Sequence, residues 1–145
     1  MSGNARDWLM LLARFFMGAM FVIVGIRKWI LFPGSAKFVA SMGVPMPEVM
    51  LALAIALELI AGAMLILGYR TRLASIGLVI YVAILTPIFH GPWHFEMPRM
   101  LNELDQCLKN LNLIGCMLLF MAFGPGRFSL DAKSSRAPAF APASA

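Results

Sequence analysis

Four stretches of the chain are apolar almost without interruption, over residues 8–26, 50–67, 73–89 and 108–123, and the polar residues gather at their ends. Each run is long enough, at about 1.5 Å per residue, to cross or nearly cross a hydrocarbon layer of roughly 30 Å. The pattern therefore predicts an all-α membrane protein, a bundle of four transmembrane helices. The first run resembles a signal-peptide core, but it contains Arg14 and ends in Gly-Ile-Arg-Lys without a small-x-small cleavage pattern. A retained span is the better reading.

The segments between the runs are uneven. Residues 31–47 carry Pro33-Gly34, a Ser35 placed to cap a short helix through Ser41, and then Gly43, Pro45 and Pro47. This piece is too short to span and is predicted to be an interfacial or re-entrant helix between spans 1 and 2. Gly68-Tyr69-Arg70-Thr71-Arg72 reads as a tight turn, with Gly68 as the natural helix terminator. Pro87 should bend or end the third span. Residues 90–106 read as the one long polar loop, and Gly124-Pro125-Gly126 stops the last span. Residues 1–131 form one predicted domain. The tail, residues 132–145, is rich in small residues and proline and is predicted to be disordered.

Composition agrees with this pattern. Hydrophobic residues make up 61% of the chain and charged ones 13%, against roughly 45–50% and 25% in soluble domains. The net charge of +5 comes from single and paired basic residues at the ends of apolar runs, so it points to a lipid bilayer and not to nucleic acid. Four spans put both ends of the domain on one side. Arg6, Arg70, Arg72, Arg127, Lys133 and Arg136 lie on that side, against Arg27, Lys28, Lys37 and Arg99 on the other, which predicts cytoplasmic termini. Cys107 and Cys116, nine residues apart on one helix, would face opposite ways and cannot bridge.

The chemistry lies in the few polar groups within the spans. Taking Trp8 and Leu67 as markers of the same boundary, Arg14 is about 9 Å deep and Glu58 about 13 Å deep. Opposite charges at matched depth on consecutive antiparallel helices predict an Arg14–Glu58 pair. Lys109, Asn110 and His90 fall in the opposite third of the layer, and Lys109 can reach toward Glu58 or snorkel outward. Two readings stay open: a structural clasp that fixes helix register, or a polar pocket of Arg14, Glu58, His90, Lys109 and Asn110 that binds a small molecule or relays protons. His90 and His94 are separated by Gly91-Pro92, which breaks the common helical face that metal ligation would need, so no metal site is predicted.

Several short motifs recur in a recognisable order: Arg14, Phe21-xxx-Gly25-xx-Lys28, Met42-Gly43-Val44-Pro45-x-Pro47, Glu58-Leu59-x-x-Gly62, and Leu67-Gly68-Tyr69-x-Thr71-Arg72. Phe89-His90, Lys109-Asn110-Leu111 and Gly124-Pro125-Gly126-x-x-Ser129-Leu130-Asp131 follow. In this order and spacing the chain resembles the DoxX family of small bacterial inner-membrane proteins over about residues 12–131. The resemblance implies a four-helix bundle with a short segment between the first two spans. It also implies an association with membrane redox systems, among them thiosulfate:quinone oxidoreductase and oxidative-stress complexes. The resulting expectation is a quinone-associated subunit of a membrane oxidoreductase with a redox partner protein. A permease for a small molecule or anion and a non-catalytic scaffold subunit are the alternatives, and each allows a homo-oligomer.

Overall fold

A computed structural model of the chain describes residues 3–134. Helix α1 (Gly3–Ile30) is followed at once by α2 (Phe32–Ser41); then come α3 (Pro47–Leu67), α4 (Thr71–His90), a 3₁₀ turn (Pro92–His94), α5 (Arg99–Phe123) and the short α6 (Leu130–Ser134). Four helical stretches are long and apolar enough to cross a membrane: Asn4–Ile30, Pro47–Leu67, Thr71–His94 (α4 with the 3₁₀ turn that follows it), and Arg99–Phe123. The protein is an all-α four-helix membrane bundle with one short additional helix between its first two spans.

The helix ends follow local chemistry. Pro33 lies in the first turn of α2, where its missing N–H costs nothing; in a continuous helix it would have broken the hydrogen-bond ladder of α1. Pro47 opens α3 in the same way, and Glu48 in that first turn complements the positive end of the helix. Gly68 closes α3 with φ +65°, and its N–H returns to the Leu65 carbonyl. Pro87 lies inside α4, and the Thr86 hydroxyl one residue earlier donates to the Val82 carbonyl at 2.6 Å.

Antiparallel packing of α1 on α3 is the closest helix contact. A Cβ built on Gly18 would lie 2.5 Å from the Gly62 carbonyl oxygen, and one on Gly62 would lie 2.8 Å from the Gly18 carbonyl oxygen. These are backbone atoms that cannot swing aside, so the two glycines set the interhelical distance. Phe21, Ala61, Leu65, Ala74, Leu78, Val82, Met117 and Phe120 form the main core between α1, α3, α4 and α5. Gly62→Ala or Gly18→Ala is expected to push α1 from α3 and cost about 1–3 kcal/mol. Gly34→Ala, with nothing within 4 Å of the added carbon, should be near neutral. Thermal unfolding in detergent micelles checks the contrast.

Gly25 of α1 packs on Leu59 of α3, so α1 ends, five residues later, about two-thirds of the way along α3 from its Leu67 end. The N-terminal part of α3 is covered by α2, whose Ala36 and Val39 are buried with Leu51 and Ile55. The short helix thus continues the path of α1 along α3 after a break at Leu31.

Several sequence-based boundaries shift: α1 is longer at both ends than the run 8–26, and Ser35 lies inside α2, whose N-cap is Leu31. Residues 99–106, expected within a polar loop, are the first two turns of α5; their spacing of Leu101 and Leu104 is helical, which a reading for charge alone overlooks. Of the tail expected to be disordered, residues 132–134 belong to α6, and residues 135–145 lie outside the described residues.

Candidate functional site

The carboxylate of Glu58 lies in the middle of α3 and is 2% exposed. Ten residues separate it from the turn at Gly68, and ten residues separate Tyr81 from Thr71 at the start of α4, so both lie about 15 Å from that turn. The Tyr81 hydroxyl donates to Glu58 Oε1 at 2.6 Å. Lys28 Nζ reaches the same oxygen at 2.5 Å and the Tyr81 hydroxyl at 3.2 Å. Because side chains on a helix lean toward its N-terminus, the long stem of Lys28 runs back from the end of α1 into the bundle. Gly25, three residues earlier, leaves α1 close enough to α3 for that reach.

The result is a compact triad, Lys28–Glu58–Tyr81, contributed by three spans. Two of its properties bear on chemistry. Among the described residues, Glu58 Oε2 is buried without a hydrogen-bond partner. Lys28 has three donors and uses two on its triad partners, while about a quarter (26%) of its side chain stays exposed. The site therefore holds a free acceptor inside and a cationic donor at its edge.

Arg14 is not part of this site, and the expected Arg14–Glu58 pair is wrong. Its guanidinium is fully buried and lies against Gly68, donating to the Leu65 carbonyl at 3.3 Å and the Phe128 carbonyl at 2.5 Å. Trp8 is not level with Leu67: α1 extends farther, and Arg14 stands opposite Gly68, a shift of about 9 Å. Around it the closing motif of the chain folds back as a latch. Asp131 accepts from the backbone N–H groups of Arg70 at 2.7 Å and Thr71 at 2.9 Å, capping α4, and its own N–H donates to the Gly68 carbonyl at 2.9 Å. The Arg127 N–H donates to Asp7 at 3.2 Å, and Phe128 packs on Trp8 with ring centroids 5.0 Å apart. Gly124-Pro125-Gly126 and Ser129-Leu130-Asp131 are thus parts of a structural closure, and Thr71 and Arg72 begin the helix it caps.

The remaining expected pocket residues are dispersed. Lys109 is exposed and pairs with Gln106 at 3.4 Å on its own helix. Asn110 donates to Thr86 at 3.0 Å, tying α5 to α4. His90 Nδ1 lies 2.8 Å from Glu103, which also holds Arg99 at 3.5 Å. Lys109 missed the site because it lies on the side of α5 turned away from α4, roughly 100° around the helix from Asn110. Tyr81 escaped the sequence reading because an aromatic in an uncharged run reads as packing.

A protein-family model described as DoxX matches residues 9–91, which hold most of α1, all of α2 to α4 and all three triad residues. The chain belongs to the DoxX family. It is 32% identical over 129 residues to the inner membrane protein YphA of Escherichia coli (strain K12), covering 89% of this chain and 92% of that protein. It is also 30% identical over 126 residues to the inner membrane protein YqjF of the same organism, covering 87% and 92%. No solved structure matches the chain. This DoxX protein is a multi-pass inner-membrane protein.

Proposed function

We propose that this DoxX protein binds the head group of a membrane quinone at Lys28–Glu58–Tyr81 as a subunit of a redox system, with both termini in the cytoplasm. The observation that carries the reading is the pairing of an unpartnered, buried carboxylate oxygen with a partly exposed ammonium that keeps one donor in reserve. A quinone supplies a lipid-soluble two-electron carrier whose carbonyls need a donor and whose reduction takes up protons. Lys28 donates to such a carbonyl from the edge of the site. Tyr81 fixes the Glu58 carboxylate through Oε1, leaving Oε2 to hold and release a proton. The electrons come from a partner protein, as the family association implies. Binding sites inside a bilayer are where ionisable side chains concentrate, because their cost must be matched by a use.

Trp29, next to Lys28 and largely exposed, reports on this site. Titrating the purified protein in nanodiscs with a short-chain ubiquinone should quench its fluorescence saturably. Lys28→Gln should raise the apparent Kd by about tenfold or more, the usual loss of a charge-assisted hydrogen bond, and Tyr81→Phe by about threefold to tenfold. Non-saturable quenching, or an unaltered Kd in Lys28→Gln, would exclude the reading.

A further inference from the structure

Helix α5 is the least enclosed of the four spans; it packs on α4 and on the 3₁₀ turn, and its outer side is open. Along that side run Leu101, Asp105, Leu108, Asn112, Gly115, Leu119 and Ala122, every one outside the buried core. Their spacing is four, three, four, three, four, three, which is the seam of a left-handed helix pair. At its centre sits Asn112, 13 residues past Arg99 and 11 before Phe123 on α5, hence about 17–20 Å from either end of the span. Its carboxamide has no hydrogen-bond partner among the described residues. A bare carboxamide turned toward lipid at mid-depth is costly, and Asn at one such seam position is a device that sets helix pairing.

We infer that this face of α5 is a homodimer interface, closed by α5 of a second copy of the chain. Two copies inserted in the same orientation can be related by a twofold axis along the membrane normal, so that Asn112 and the apolar seam residues meet their own counterparts. Asparagine suits that position because it is both donor and acceptor, and two copies of Asn112 can satisfy each other. Charge complementarity agrees. Lys109 flanks the seam and leans toward the α5 N-terminus, bringing its ammonium to the level of the other copy's Asp105, and the pair repeats by symmetry. Gly115, with nothing within 4 Å of an added Cβ, lets the two backbones approach below the asparagine.

Cysteine crosslinking of the full chain in membrane vesicles tests the inference. In a Cys107→Ala, Cys116→Ala background, Leu108→Cys, Gly115→Cys and Ala122→Cys should form disulfide-linked dimers under mild oxidant. Leu111→Cys and Leu118→Cys at the seam edge should crosslink weakly, and Ile23→Cys on the exposed face of α1 should not. In reconstituted vesicles, Asn112→Leu should raise the dimer dissociation constant, read by energy transfer between labelled copies, by roughly 3- to 20-fold. The outward position of Asn112 leaves the packing of one chain intact, so the micellar melting temperature should stay at the parent value. Dimers formed as readily through Ile23→Cys, or an unaltered dissociation constant in Asn112→Leu, overturn the interface. Crosslinking in cells to a different protein, with none between purified copies, overturns the assignment of the second copy.

Discussion

Lys28→Met is expected to lower the unfolding free energy in detergent by about 3–5 kcal/mol, because it leaves a carboxylate buried without its counter-charge. Glu58 is 3% exposed at the side chain and sits in the middle of its helix, so its carboxylate cannot swing out to water as a lysine ammonium can. Glu58→Gln should cost less. The ammonium of Lys28 is already partly exposed and can turn outward on its flexible stem. The double variant Lys28→Met, Glu58→Gln should recover most of the loss, since the buried charge is gone and the Tyr81 hydroxyl can still donate to the carboxamide oxygen. Equal losses in the two single variants, with no recovery in the double, would show that the charges act independently.

Arg14→Met should cost a similar amount, about 3–6 kcal/mol, from two hydrogen bonds to a charged group at roughly 1.5–3 kcal/mol each. The damage is of a different kind. Arg14 joins α1 to the Leu65 carbonyl at the end of α3 and to the Phe128 carbonyl of the closing segment. Its loss should release residues 124–134 from the bundle, and trypsin should then cut after Arg127 many times faster than in the parent. Lys28→Met should leave that cleavage rate unaltered, since the triad lies about 15 Å from the latch. Together the two variants separate the mid-membrane site from the terminal closure.

Helix number, span order and the short helix after span 1 were legible in the sequence because hydrophobicity is a property of each segment on its own. The partner of Glu58 was not, because it depends on register between segments. Matching Trp8 to Leu67 assumed that adjacent spans share a boundary; the chain instead sets α1 against α3 through Gly18 and Gly62. Those glycines and Gly25 were visible as small residues, and aligning Gly18 with Gly62 would have drawn Arg14 toward the α3–α4 turn and away from Glu58. Tyr81 was open to discovery by arithmetic. Glu58 and Tyr81 stand at equal distance from the Gly68–Thr71 turn, so an antiparallel hairpin must bring them level. Lys109 shows the converse limit: matched depth says nothing about which way a side chain faces. The fold of the closing motif could not be read from composition, since its contacts go to backbone carbonyls and N–H groups that a sequence does not distinguish.

The latch also has a consequence in time. Arg14 enters the membrane with α1, before the other helices of this bundle, yet one of its two carbonyl partners belongs to Phe128, in the segment after α5. Chains grow from the N-terminus, so through most of translation this cation must be tolerated by lipid head groups, water or the insertion machinery. Only the arrival of the last segment lets it become fully enclosed. The protein thus carries, in α1, a charge that registers whether the closing segment has been made, and a chain stopped short of Arg127 should remain open at that end of the bundle.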